Sequence, residues 1–169
     1  MTGTATAWAP FPEQPPMVAE YQAARITDTA MVDAPAPWDL GVLPVELATE
    51  LDSWIDAVCR WLNSTYAWQS PTVIPPCWRQ HGQIAYEVAA LAFARSDALC
   101  AAGSTVAWHE QLDRFVQRMH SGLGRSGDDC RAGRHGPRPA RYSIDAWHGY
   151  GDEAPRSGEA TSAEVGRGT

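Results

Sequence analysis

Cys77 and His81 are the residues whose types and spacing come closest to a reactive or metal-binding site in this sequence. A thiol and an imidazole one helical turn apart can bind zinc or form a Cys–His pair, with Cys59, Cys100 and His109 available to complete the set. The alternative is a buried thiol that acts as a small apolar group, beside a histidine near a helix start. Because structural zinc sites usually bring their ligands in close pairs, we favour the structural interpretation and predict no metal, no cofactor and no catalytic residue. A zinc-binding module or metal-dependent enzyme at Cys77, His81 and His109 is kept as an alternative.

Two other motifs match catalytic patterns without the context that gives those patterns meaning. Residues 122–127 read Gly-Leu-Gly-Arg-Ser-Gly, but a predicted helix precedes this dinucleotide-type pattern where a strand is required. Residues 109–113 begin as a zinc-protease HExxH and end with Asp113 in place of the second histidine. One histidine and one carboxylate cannot hold zinc unaided. The first segment is therefore predicted to be a linker, and the second a solvated helix face.

The segment from 125 to 141 is rich in arginine. Its candidate anion contacts are Arg131, Arg134, Arg138 and Arg141, which carry the alternative hypothesis of a nucleic-acid-binding accessory protein. The formal net charge of the whole chain is −7, which argues against a general nucleic-acid coat. A solvated linker is therefore the favoured interpretation of this segment.

Three amphipathic segments in the middle of the chain predict the helices that would position these residues. They extend over about 44–66, 79–100 and 104–119, and prolines mark the loop before the second. In each segment the spacing of the apolar side chains places them on one helix face, which is predicted to be buried: Leu47, Leu51, Trp54, Ile55, Val58 and Leu62, then Ile84, Val88, Leu91 and Leu99, then Trp108, Leu112, Phe115, Val116 and Met119.

The predicted fold class is all-α, with a small three-helix domain over 43–120. A Pro/Ala-rich arm over 1–42 is expected to be mostly disordered, and a Gly/Arg-rich flexible, disordered tail is expected over 121–169. We expect at least three of the four tryptophans of the predicted helical region to be largely buried. The candidate core or interaction positions are Trp54, Trp61, Trp78, His81, Trp108 and His109.

Cysteine spacing and hydropathy indicate the compartment. The four cysteines are widely spaced, no CxxC occurs, and no apolar export segment follows Met1. Reduced thiols and a cytoplasmic location are therefore expected. No apolar run approaches the roughly 20 residues of a membrane-spanning helix, so no membrane partner is predicted.

The span from about Trp54 to Met119 resembles a family of small uncharacterised actinobacterial proteins that often lie on plasmids and other mobile elements. The residues that carry the resemblance are Trp61, Tyr66, the stretch Pro75-Pro76-Cys77-Trp78 with His81, and the pair Trp108-His109 leading to Leu112 and Met119. The resemblance implies an origin and a domain rather than a reaction.

The functional prediction is a non-catalytic one. Because the sequence offers no convergent acid, base and nucleophile set, we predict an accessory or protein-interaction protein of a mobile element and not an enzyme. A protein partner is expected, and a homodimer is left open.

Overall fold

A computed structural model of the chain describes residues 8–99 and 101–136, and the regular elements in these ranges are helical. The helices are α1 (Pro16–Thr27), α2 (Val45–Tyr66), α3 (Gly82–Ala98), α4 (Ala102–Leu123) and α5 (Gly127–Arg131), with short 3-10 turns between several of them. The prediction of an all-α domain is confirmed. None of these helices is long and apolar enough to cross a membrane.

The three predicted helices correspond to α2, α3 and α4, and the two largest differences are at the start of α3 and the end of α4. α3 begins at Gly82 rather than near Arg79, because residues 78–80 form a separate 3-10 turn and His81 is the residue before the helix. α4 continues to Leu123, beyond the predicted end at Met119. The extension follows from the apolar spacing, since Leu123 lies one turn after Met119 and both side chains are buried.

The core lies between α2, α3 and α4, and tryptophans are central to it. Trp54, Trp61, Trp78 and Trp108 are 3%, 9%, 3% and 3% exposed, which confirms the prediction that at least three would be buried. Their indole N–H groups have acceptors, and that of Trp108 donates to Leu91 O at 2.9 Å. The large rings therefore enter the core without leaving an unsatisfied donor, which would cost free energy.

The N-terminal arm is folded against α2, so the prediction of a mostly disordered arm is wrong for residues 8–42; residues 1–7 lie outside the described ranges. Phe11 is edge-on to Trp54 and Trp61, at ring-centroid distances of 6.4 and 5.1 Å. Trp54 Nε1 donates to Pro12 O at 3.1 Å, and Trp61 Nε1 donates to Ala9 O at 2.9 Å. Proline-rich composition predicts disorder, but two indole N–H groups at the edge of the core need acceptors, and the extended arm supplies them.

The rest of the arm is held by α1. Val18 of α1 is completely buried, and α1 packs on α2. Tyr21 Oη donates to Pro35 O at 2.9 Å, and Arg25 Nε donates to Ala34 O at 2.8 Å. These two bonds fix the loop after α1 to the helix, so the arm leads directly into α2.

Trp54→Ala should lower the free energy of unfolding by about 3–5 kcal/mol, because it opens a cavity in the core and removes the donor to Pro12. Trp68→Ala is the matched control, since Trp68 is 89% exposed. Its effect should stay within about 0.5 kcal/mol. Urea unfolding followed by circular dichroism measures both changes, and equal effects would contradict the assigned core.

Candidate metal centre

Four potential metal ligands meet beside the N-terminus of α3. Cys77, His81, Cys130 and His135 each offer one ligand atom, and these atoms all lie within 4.8 Å of one another. Cys77 Sγ is 3.4 Å from His81 Nε2, and Cys130 Sγ is 3.7 Å from His135 Nδ1. The two imidazole rings lie edge to face, with centroids 4.9 Å apart. The arrangement is a Cys2His2 cluster built from two Cys–His pairs.

The sulfur–nitrogen distance within each Cys–His pair matches that of a tetrahedral zinc site. With Zn–S near 2.3 Å and Zn–N near 2.0 Å, a tetrahedral ion places its sulfur and nitrogen ligands about 3.5 Å apart. The two S···N distances, 3.4 and 3.7 Å, lie on either side of this value. Cys77 and Cys130 are 8% and 1% exposed, and the two imidazoles are partly exposed at the rim. The sulfur side of the site is therefore largely buried, with Cys130 deeper than Cys77.

The first ligand pair is set by the turn between α2 and α3. Pro75 is buried, and Trp78 N donates to Pro75 O at 3.0 Å, which reverses the chain at Cys77. Proline restricts both its own backbone and that of the residue before it, so this turn has few alternatives. His81 caps α3 through its backbone and makes no side-chain capping bond, which leaves its ring directed at Cys77.

Two aspartates of α2 fasten this turn. Trp78 Nε1 donates to Asp56 Oδ1 at 3.2 Å. Arg79 donates to both carboxylate oxygens of Asp52, at 2.6 and 2.7 Å, and to Asp56 Oδ1 at 3.0 Å. Its guanidinium also lies 4.4 Å from the centroid of the Trp78 ring. Because Trp78 and Arg79 stand between Cys77 and His81, these contacts position the ligand pair itself.

The contacts that hold this turn shift the pKa values of Asp56 and Arg79. Burial by itself raises the pKa of Asp56, but hydrogen bonds from Trp78 and Arg79, together with the charges of Arg60 and Arg79, outweigh it, and the pKa lies below its ordinary value. The hydrogen bonds from Arg79 to Asp52 raise the pKa of that guanidinium. Both groups are therefore ionised throughout the physiological range, and the turn stays fastened.

The second ligand pair is placed by a tight corner after α4. Gly124 has φ +52°, and Gly133 has φ +75°, values that favour glycine. Between them, the short helix α5 carries Cys130, and the turn at Gly133 returns the chain so that His135 faces Cys130. The predicted linker is thus an ordered corner. The prediction of a flexible tail is wrong for residues 121–136, which are ordered here. Residues 137–169 lie outside the described ranges. Local backbone bonds hold the corner, including Gly133 N to Cys130 O at 3.1 Å.

Arg131 anchors α5 to the loop before α3. Its side chain is 6% exposed and donates to Pro71 O at 2.9 Å and to Val73 O at 3.3 Å. Its third donor group, Nη1, pairs with Asp128 Oδ1 at 3.3 Å, and the anion contact predicted for Arg131 stays a prediction. Arg134 pairs with Asp129 at 2.8 Å on the surface, while Arg138 and Arg141 lie outside the described residues.

The other candidate residues lie elsewhere. His109 Nε2 is 3.1 Å from Tyr66 Oη, and its ring packs against Trp108. Cys59 is 4% exposed in the core, where burial, followed by the charge of Asp56, raises its pKa to about 12. Of the predicted zinc ligands Cys77, His81 and His109, the structure therefore places Cys77 and His81 together and His109 elsewhere. Cys100 lies outside the described residues.

Cys130 and His135 are the candidate ligands that the sequence did not lead us to expect. The signal was present, because Cys130-x4-His135 resembles Cys77-x3-His81 in order and spacing. Such short pairs are the usual form in which a chain supplies zinc ligands. The second pair lies in a glycine- and arginine-rich stretch, whose composition predicted a linker and concealed it.

Comparison with known proteins gives no relative from which a site could be transferred. No protein-family model, no curated protein and no solved structure matches this chain. The interpretation of the cluster therefore depends on its own geometry and chemistry.

Asp56→Asn should destabilise the protein at about pH 6–7, and the difference from the parent should shrink as the pH falls below about 4. The folded pKa of Asp56 lies below the unfolded one, so its carboxylate contributes fully above the unfolded pKa. That contribution is lost as the pH falls through the folded pKa. Urea unfolding of both proteins at a series of pH values measures the difference, in which shared contributions cancel. Asp97→Asn, at an exposed position, is the control, and a pH-independent difference for Asp56→Asn would contradict the assignment.

Proposed function

We propose that this chain contains a non-catalytic helical domain in which a structural zinc ion at Cys77, His81, Cys130 and His135 joins the segment after α4 to the turn before α3. The observation that carries the proposal is the convergence of four ligand atoms within 4.8 Å. They come from two segments whose cysteines are 53 residues apart in the chain. Chance convergence of two thiols and two imidazoles in a protein with only four cysteines and five histidines is a poor alternative explanation.

The ligand types support zinc over the other common protein-bound cations. Thiolate and imidazole suit zinc, whereas magnesium and calcium prefer oxygen ligands. Two sulfurs and two nitrogens are a frequent ligand set of structural zinc sites. We therefore assign zinc to this cluster.

A structural role follows from the number of ligands. Catalytic zinc sites keep one position open for water or substrate, whereas a set of four protein ligands fills the tetrahedron. The buried cysteines further restrict access to the ion. This supports the earlier prediction that the chain is not an enzyme.

The ion would stabilise the fold by joining two segments that have few other contacts. α5 is five residues long, too short to be stable alone, and it is held by its packing on α4 and on the turn at 70–72, by Arg131 and by the cluster. Because the unfolded chain has no preformed site, the free energy of zinc binding adds to the free energy of folding.

The wider role that we propose is that of an accessory or protein-interaction protein of an actinobacterial mobile element. Its support is the residue pattern around Pro75-Pro76-Cys77-Trp78 and Trp108-His109. A protein partner fits a domain that exposes Trp68 almost fully, since exposed tryptophan is typical of binding surfaces. A cytoplasmic location is also proposed, because a reducing compartment preserves zinc-bound thiolates.

Purified full-length protein should contain about one zinc per chain, and Cys130→Ser or His135→Asn should reduce this below about a tenth of an equivalent. Each variant removes one ligand of the proposed set. Elemental analysis after dialysis against metal-free buffer measures the content. Removal of zinc with a chelator should also lower the melting temperature of the parent protein, since the ion stabilises only the folded state.

Cys59→Ala and His109→Asn are the matched controls, because each removes the same type of side chain outside the cluster. Both should retain one zinc per chain. A parent protein without bound zinc, or controls that lose zinc as fully as the ligand variants, would contradict the proposed function.

A further inference from the structure

The two cysteines of the cluster come from the two different segments that the zinc ion would join. Cys77 lies in the turn before α3, and Cys130 lies in α5. Their sulfur atoms belong to a cluster whose ligand atoms lie within 4.8 Å of one another. A disulfide requires an S–S distance of about 2.05 Å, so the two sulfurs need to approach by less than about 3 Å.

The two segments that carry these sulfurs are held in different ways. The Cys77 turn is fastened to α2 by Trp78 and Arg79. Cys130, by contrast, is carried by a five-residue helix between Gly124 and Gly133, which packs on α4 and on the turn at 70–72 and is tied to that turn by Arg131. A disulfide between the two sulfurs would therefore require α5 to move toward the turn.

We propose that zinc and a Cys77–Cys130 disulfide are alternative cross-links of the same two segments, exchanged by reaction with a peroxide. This inference rests on the proposed zinc site. Zinc keeps both sulfurs as thiolates, the form that attacks peroxides. The product keeps α5 attached to the turn after the metal has left.

The chemistry balances with one hydrogen peroxide. The Cys77 thiolate, the more exposed of the two, attacks one peroxide oxygen, so that the O–O bond breaks and a sulfenic acid and hydroxide form. The Cys130 thiolate then attacks the sulfenic sulfur, so that the S–S bond forms and a second hydroxide leaves. The two sulfurs are oxidised by one electron each, and the peroxide is reduced by two. Zinc retains only two imidazoles and dissociates.

Cys59 provides an internal control within the same chain. It is buried in the core, and its raised pKa of about 12 keeps it a thiol at neutral pH. Because the thiolate is the reactive form, Cys59 should not react under conditions that oxidise the cluster.

The test uses zinc-loaded, full-length Cys100→Ala protein treated with hydrogen peroxide. A chromophoric chelator measures zinc release, and mass spectrometry of a non-reduced digest maps the cross-link. We expect about one zinc released per chain, a Cys77–Cys130 disulfide within one chain, and an unmodified Cys59. The oxidised protein should melt roughly 5–15 °C above the reduced, metal-free protein, and a thiol reductant with added zinc should restore the metal-bound form.

Three results would overturn the inference while leaving zinc binding intact. The treated protein could retain its zinc, or it could lose zinc while either cysteine becomes a sulfinic or sulfonic acid and no cross-link forms. The third result is a disulfide between two chains instead of within one. His135→Asn is the second variant, since it keeps both cysteines and removes one zinc ligand. Under peroxide it should form the same disulfide more slowly, because no metal keeps its thiols ionised, and it should release no zinc. Absence of zinc from the parent protein would instead contradict the proposed function, so the two failures are distinguishable.

Discussion

The attachment of the turn at Trp78 and Arg79 to two aspartates of α2 is the interaction on which the site depends. Asp52 and Asp56 lie one helical turn apart, so their carboxylates form one acceptor surface on α2. The guanidinium and the indole bind this surface together, and the ring stacks under the guanidinium. Without this attachment, Cys77 and His81 would belong to an unfastened loop between a proline pair and a helix start.

The other half of the site is built on different principles. Gly124 and Gly133 permit backbone conformations that other residues rarely adopt, and Arg131 uses its long side chain to reach carbonyls of the loop near Pro71. A guanidinium suits this task because its donors are numerous and fixed in one plane. Cys77 and His81 thus lie in a turn that is held by α2, and Cys130 lies in the short helix α5, which is anchored separately. The proposed ion joins this turn to α5.

Local patterns predicted much of the fold and only part of the site. The apolar spacing of Leu47 to Leu62, and of Trp108 to Met119, is set by the helical repeat, so α2 and α4 and the burial of the tryptophans could be read from it. The order of the N-terminal arm could not, because it depends on indole donors that lie some 40 to 50 positions later in the chain.

Cys130 and His135 could not be predicted for the same reason, which is their dependence on a contact distant in sequence. Cys130 and His135 become ligands only because the chain returns to Cys77 after 53 residues, and composition alone predicted a linker in that region. The anchoring role of Arg131 could not be predicted for a similar reason: an arginine in a glycine-rich segment suggests a surface contact, whereas its main-chain acceptors lie some 60 positions earlier. The repeated Cys–His spacing was the one local sign of the pairing.

X-ray absorption spectroscopy at the zinc edge tests the central claim most directly, because it reports the atoms bound to the metal. For the zinc-loaded, full-length protein we predict two sulfur ligands at about 2.3 Å and two nitrogen ligands at about 2.0–2.1 Å, with imidazole scattering in the outer shell. A first shell of oxygen and nitrogen atoms without sulfur would contradict the account, because it would place the metal away from Cys77 and Cys130.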